Sequence, residues 1–198
     1  MSDQSFDYSL PAAIRRIADA FRVVGWISFW GQIVLSVVSA FLLLFAVSGI
    51  NFGQSATGNQ ASPGTGAGLL FAALGLGTAF FGAYWAFRYT RMSKRLRTSS
   101  PEDRPKPKDA VRIIQIGLAA SLIGMFLTLL GGGAIVGALI FKSFEQPAQG
   151  GVLNPGGVRG SFITSFDLLI VQANSNTSLA HFLSIISSLW LSRRLGKQ

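Results

Sequence analysis

Gln172, Asn174, Asn176, Ser178 and His181 fall within one short run, and His181 is the chain's single histidine. Amides and hydroxyls hydrogen-bond solutes or other helices. An imidazole can also move a proton or ligate a metal. The surrounding segment, residues 168–191, carries no Lys, Arg, Asp or Glu and is long enough to cross a bilayer. In hydrocarbon every polar group needs a partner, so this face must meet protein, a cavity or a ligand.

At 100° per residue, Asp167, Asn174, Ser178 and His181 lie within about 60° of one another, a single polar stripe. Arg193 and Arg194 mark one membrane boundary. Counting back roughly 20 residues puts Asp167 at the opposite interface. His181 is then near the midplane, and Gln172 to Ser178 lie in the outer half. Asp167 has a structural role available. Thr164-Ser165-Phe166-Asp167 fits a helix-capping pattern, so Thr164 and Asp167 are read as cap residues. Three readings of His181 stay open: a packing histidine, a solute contact, or a metal ligand that includes an axial ligand to haem or chlorophyll. A two-histidine haem would need two subunits. Gln172, Asn174, Asn176 and Ser178 are read as solute or partner contacts.

Other chemistries find no residues. Cysteine is absent, which removes disulfides and thiolate metal sites. The chain has no Walker A lysine motif and no Ser/His/Asp or Cys/His set with workable spacing. No carboxylate lies deep in any apolar stretch, so neither a carboxylate proton relay nor a multi-carboxylate metal site is expected. The chain is read as non-enzymatic.

The elements that position these residues follow from hydropathy. Among 198 residues, 13% are charged and the mean hydropathy is +0.46. A soluble domain carries about twice that charged fraction. Four stretches, about 24–49, 67–87, 113–141 and 168–191, are long enough to span, at roughly 20 residues each. The expected fold is therefore an all-α integral membrane protein with four transmembrane helices. It divides into an N-terminal segment 1–22, a membrane domain 23–192 and a basic tail 193–198. Pro11 to Arg22 reads as a short amphipathic helix lying at the inner leaflet, with Ile14, Ile17, Ala18 and Phe21 on one face. The first 22 residues lack the apolar core and cleavage site of a secretory signal, so the chain is expected to be mature as written.

Charge sets the expected topology. With four spans, 15 of the 17 Lys and Arg residues share one side, and only Lys142 and Arg159 lie opposite. Loops on the cytoplasmic side carry the basic excess, so both termini are expected to be cytoplasmic. Trp26, Trp30, Trp85 and Trp190 fall near the same boundary, where indoles suit headgroups. Arg88, Arg91, Lys94, Arg95, Arg193 and Arg194 are read as facing anionic inner-leaflet lipid. The net charge of +9 is placed by topology, so nucleic acid is not an expected partner.

Small residues recur at four-residue spacing. Ala120, Gly124, Thr128 and Gly132 do so on the third span, and Ala79 with Ala83 and Gly82 with Ala86 on the second. Such stripes let helix backbones approach closely, in a four-helix bundle or across an oligomer. Gly131-Gly132-Gly133 is read as a packing surface in preference to an unwound, substrate-lining turn. A faint echo links Asp19-Ala20-Phe21-Arg22 with Asp109-Ala110-Val111-Arg112. Two hairpins related by an axis along the membrane normal would produce it.

The stretches Ala20 to Trp30, Val171 to Thr177 and Ala180-His181-Phe182 resemble a known family. Its members are the cyanobacterial and plastid four-span proteins of the Tic-twenty-one, or permease-in-chloroplasts, type. The resemblance covers essentially the whole chain. It implies either iron transport or a part in protein translocation, in the plasma or thylakoid membrane of a bacterium of the cyanobacterial kind. It supplies no agreed binding residues. Two functions follow as expectations. One is transport along a polar fourth helix. The other is a non-transporting assembly or accessory subunit of a larger photosynthetic or translocation complex. Either would act as a homo-oligomer or as a subunit of a membrane complex.

Overall fold

The computed structural model describes residues 11–57, 65–98, 102, 105–145, 163 and 165–196. They form four α-helices: α1 (Ala12–Thr57), α2 (Thr65–Leu96), α3 (Pro107–Glu145) and α4 (Ser165–Leu195). Helix ends follow local chemistry. Pro107 opens α3, where a missing N–H costs nothing, and the Asp109 carboxylate accepts the Lys106 N–H at 3.2 Å. Asp167 lies in the first turn of α4 and Arg193 and Arg194 in its last, each matching the helix dipole.

Each helix packs antiparallel against its neighbours in sequence, and α4 returns to α1, closing a ring of four. Helices α2 and α4 also touch across the diagonal. The start of α1 and the end of α4 therefore lie at one end of the bundle, where Phe21, Tyr89, Met92, Ile114 and Leu191 form an apolar cluster. At the far end Ala46, Ala72, Ile135 and Ile170 form a second one.

The segment expected to lie flat before the first span is instead the first turns of α1. No proline breaks the 46-residue helix, and the apolar face of its first turns has a partner. Ala18 and Phe21 are buried, Ser93 Oγ donates to the Ala18 carbonyl at 2.7 Å, and Arg97 pairs with Asp19. At 1.5 Å per residue α1 is about 69 Å long, well beyond a hydrocarbon core of about 30 Å.

The glycine stripes bring α2 and α3 into close contact. A Cβ on Gly131 would stand 2.8 Å from the backbone nitrogen of Ala72, and one on Gly68 would stand 3.2 Å from that of Ile135. Helix α3 runs unbroken through Gly131-Gly132-Gly133. The Asp19/Asp109 echo does not place matching side chains alike: Phe21 is 1% exposed, whereas its counterpart Val111 is 40% exposed.

The bundle is apolar outside and polar within. Phe41, Leu44, Phe45, Ile123, Phe126 and Phe141 all point outward. Ser28, Gln32, Ser36, Ser39, Ser121, Thr128, Thr177, His181, Ser184 and Ser188 are buried. This inverts a water-soluble bundle and suits a lipid surround. Helices α1, α2 and α3 are long and apolar enough to cross a membrane. Helix α4 is not among them, because its amides and hydroxyls lower its hydropathy.

Candidate functional site

The middle of the bundle, between its two apolar ends, is a column of neutral polar side chains. Near the termini end, the Tyr89 hydroxyl meets Ser188 Oγ at 3.1 Å. One layer deeper, the Ser121 and Ser184 hydroxyl oxygens lie 2.6 Å apart, and Gln32 Nε2 donates to Ser28 Oγ at 2.6 Å. Deeper still, His181 Nε2 lies 3.0 Å from the Gly75 carbonyl oxygen. Towards the far end, Ser39 Oγ donates to the Ala173 carbonyl at 2.9 Å. Thr128 and Thr177 turn their hydroxyls back to carbonyls four residues earlier on their own helices, the usual resolution in a dry interior.

Glycines make room for this column. A Cβ at Gly124 would collide with the His181 ring, and one at Gly132 would press on the Asn174 amide. One at Gly82 would crowd Gln32 Oε1 at 2.6 Å, and one at Gly117 would strike the Tyr89 hydroxyl. Four polar side chains thus each have a facing glycine.

Four buried polar atoms of the column have no hydrogen-bond partner among the described residues: Gln32 Oε1, Ser36 Oγ, Asn174 Oδ1 and His181 Nδ1. The Gly75 carbonyl can only accept, so Nε2 carries a proton, and in the neutral imidazole Nδ1 keeps a bare lone pair. Three of the four atoms are therefore pure acceptors and the fourth is a hydroxyl. An unpaired acceptor in such a place costs about 1–3 kcal/mol. A nearby gap lined by Ser39, Ala72, Asn174 and Thr177 is too narrow to admit a water molecule.

The sequence-derived site separates into two faces. Asn174 and Ser178 are half-buried and His181 is fully buried, all on the stripe that turns inward. Gln172 lies on the outside of the bundle, where its Nε2 donates to Asn176 Oδ1 at 3.0 Å. Thr164 lies outside the described residues. Asp167 is in the first turn of α4 and, at 4% exposure, is buried against Lys142 Nζ at 3.1 Å. That ion pair joins α3 to α4; the third apolar stretch ends at residue 141, whereas α3 continues through Lys142 in its last turn.

Among the basic residues, Arg88 stacks on Trp85 at 4.3 Å, Arg91 on Phe87 at 5.0 Å and Arg194 on Trp190 at 4.7 Å. Lys94, Arg95 and Arg193 are exposed at the same end of the bundle. Gln32, Ser36 and Ser39 of α1 escaped the sequence reading. Their signal was present: Ser28, Gln32, Ser36 and Ser39 recur at helical spacing through an otherwise apolar span.

Among the described residues no three His, Cys, Asp or Glu side chains group around a metal position. His181 offers one imidazole nitrogen, and the ring is walled by Gly124 and Thr78. A haem or chlorophyll macrocycle does not fit there.

A family model described as "protein of unknown function (DUF3611)" matches residues 11–196. A protein of Arabidopsis thaliana described as "Protein TIC 21, chloroplastic" is 36% identical over 179 residues, covering 87% of this chain and 55% of that protein. The chain thus spans about half the length of the curated relative it matches. No solved structure matches.

Proposed function

The chain belongs to the DUF3611 family, and we propose that it is a four-span membrane transport protein whose polar column passes a small solute or a hydrated cation. The carrying observation is the set of orphaned acceptors, Gln32 Oε1, Asn174 Oδ1 and His181 Nδ1, inside a bundle with an apolar exterior. Lone pairs without donors are satisfied by an N–H or O–H of a passing solute, by water or by a cation. In this reading the apolar clusters at the two ends serve as the gates of the column. For iron, one imidazole and, among the described residues, no carboxylate in the polar column argue against tight binding, so iron would cross as a weakly held ion.

In this reading α4 also crosses the membrane. It lies antiparallel to both α1 and α3 and presents Leu168, Leu179, Phe182 and Ile186 outward. The basic end with both termini faces the cytoplasm, by the distribution of Lys and Arg. The relative's name carries the word chloroplastic. The resemblance to cyanobacterial proteins favours a plasma or thylakoid membrane for this chain. No catalytic step forms part of the proposal.

The test is uptake into vesicles containing the purified chain. Fe²⁺ is one probe, read by quenching of an entrapped dye, and urea is the other, read by light scattering. The wild type should exceed empty vesicles with at least one probe, and Asn174→Leu should return that flux to background while the protein stays folded. Background flux of both probes through the wild type would remove the transport reading.

A second reading rests on a different observation. The Gln172–Asn176 amide pair sits on the outer face of α4, where lipid offers no hydrogen bonds. Such a pair suits a partner helix, either a second copy or a subunit of a larger translocation or photosynthetic complex. On that reading Gln172→Leu with Asn176→Leu releases the partner in mild detergent and leaves the bundle folded. A lone monomer before and after the change would argue against it.

A further inference from the structure

A cleft of about 580 Å³ opens between the C-terminal end of α2 and the N-terminal start of α3. Arg88 and Arg95 line it from α2, and Arg112 from α3. Among the described residues none of the three has a carboxylate partner, whereas Arg97 nearby is paired with Asp19. Among the described residues lining the cleft the single acid, Asp109, already accepts the Lys106 N–H. Three cations therefore surround the opening with one engaged carboxylate among them.

The floor is of a different kind. It is made by Met92, Ile113, Ile116 and Trp85. Trp85 is fixed on both sides. Its Nε1–H donates to the Ile113 carbonyl at 2.7 Å, and the Arg88 guanidinium lies over its ring. Phe81 stacks beneath it, with ring centroids 5.3 Å apart. Phe81 and Ile116 are 42% and 38% exposed and lead from the cleft onto the apolar outer surface of the bundle. Arginines thus line the cleft from both helices, and Ile116 belongs both to its lining and to the exposed apolar surface.

We propose that this cleft binds one anionic glycerophospholipid. Its phosphate is held by Arg88, Arg95 and Arg112, and one acyl chain lies along Phe81 and Ile116. Guanidinium groups match phosphate oxygens through paired N–H donors, and the α3 N-terminus beside them adds a favourable dipole. A free phosphate would use the arginines and leave the apolar floor without a role. A zwitterionic lipid would place its own cation among three others.

The experiment is native mass spectrometry of the full chain released from detergent. It is titrated in turn with dioleoylphosphatidylglycerol, dioleoylphosphatidylcholine and inorganic phosphate. The wild type should retain one phosphatidylglycerol at least tenfold more tightly than phosphatidylcholine. Arg95→Gln with Arg112→Gln should weaken that binding about tenfold. Ile116→Trp, which fills the floor and changes no charge, should weaken it too. Arg15→Gln with Arg16→Gln, remote basic residues, should not.

Equal retention of the two lipids would overturn the proposal, as would undiminished phosphatidylglycerol on the Arg95/Arg112 variant. Inorganic phosphate binding alone, with the same arginine dependence and no effect of Ile116→Trp, would assign the cleft to a soluble anion and overturn the lipid reading. Should the double variant fail to fold, each single variant reads the same loss in part, and no loss in either has the same adverse meaning.

Discussion

His181 Nε2 and the Gly75 carbonyl oxygen lie 3.0 Å apart, joining α4 to α2 across the diagonal of the bundle. The contact depends on Gly124, whose missing side chain leaves space for the imidazole. It also leaves Nδ1 bare, so one interaction both anchors the helices and creates an acceptor with nothing to accept from. Stability and the proposed pathway therefore meet at one ring.

His181→Leu should lower stability by about 1–3 kcal/mol, since it strips the anchor and adds a branched carbon against Gly124. Asn174→Leu removes an amide oxygen that has no partner, so its cost should be smaller. Thermal unfolding of both variants in one detergent checks the order. A reversed order would mean that Asn174, not His181, holds α4 in place.

The glycines of α3 should differ sharply. Gly131→Ala drives a methyl into the backbone of α2, which cannot swing aside, and should cost about 1–3 kcal/mol. Gly133 faces open space, so Gly133→Ala should be neutral or stabilise by up to about 1 kcal/mol through helix propensity. Melting temperatures of the two single variants decide it. Equal losses would contradict the packing described for α2 and α3.

Lys142 and Asp167 form a pair with little solvent contact, their side chains 14% and 6% exposed. Asp167→Asn leaves the ammonium without its carboxylate and should cost about 3–5 kcal/mol. Lys142→Met with Asp167→Leu removes both charges and should recover most of that loss. A double-mutant cycle measures the coupling. Additive losses would show that the two residues act independently.

Much of the fold was legible in the sequence. Uncharged stretches located the helices, and the spacing of Gly124, Thr128 and Gly132 announced close packing. The inward stripe of Asn174, Ser178 and His181 followed from helical angles alone. Three things escaped for physical reasons. The amphipathic start of α1 could pack on lipid or on protein, and only the presence of Ser93 and Tyr89 opposite Ala18 and Phe21 decides between them. Lys142 lies at a helix end, where hydropathy does not separate a last turn from a loop. Gln32 and Ser36 are isolated polar residues in an apolar span, and they become a site only when α4 places His181 and Asn174 in the same interior.

The central claim is that the polar column between the apolar ends opens to water. The chain has no cysteine, so single cysteines can be introduced without background. Ser36→Cys and Thr177→Cys lie inside the column, and Leu44→Cys lies on the lipid-facing surface. Each is exposed, in reconstituted vesicles, to a charged, membrane-impermeant thiol reagent. The account predicts modification at residues 36 and 177 and none at 44. Complete protection at both interior positions, with the protein folded and Fe²⁺ or urea present, would contradict it.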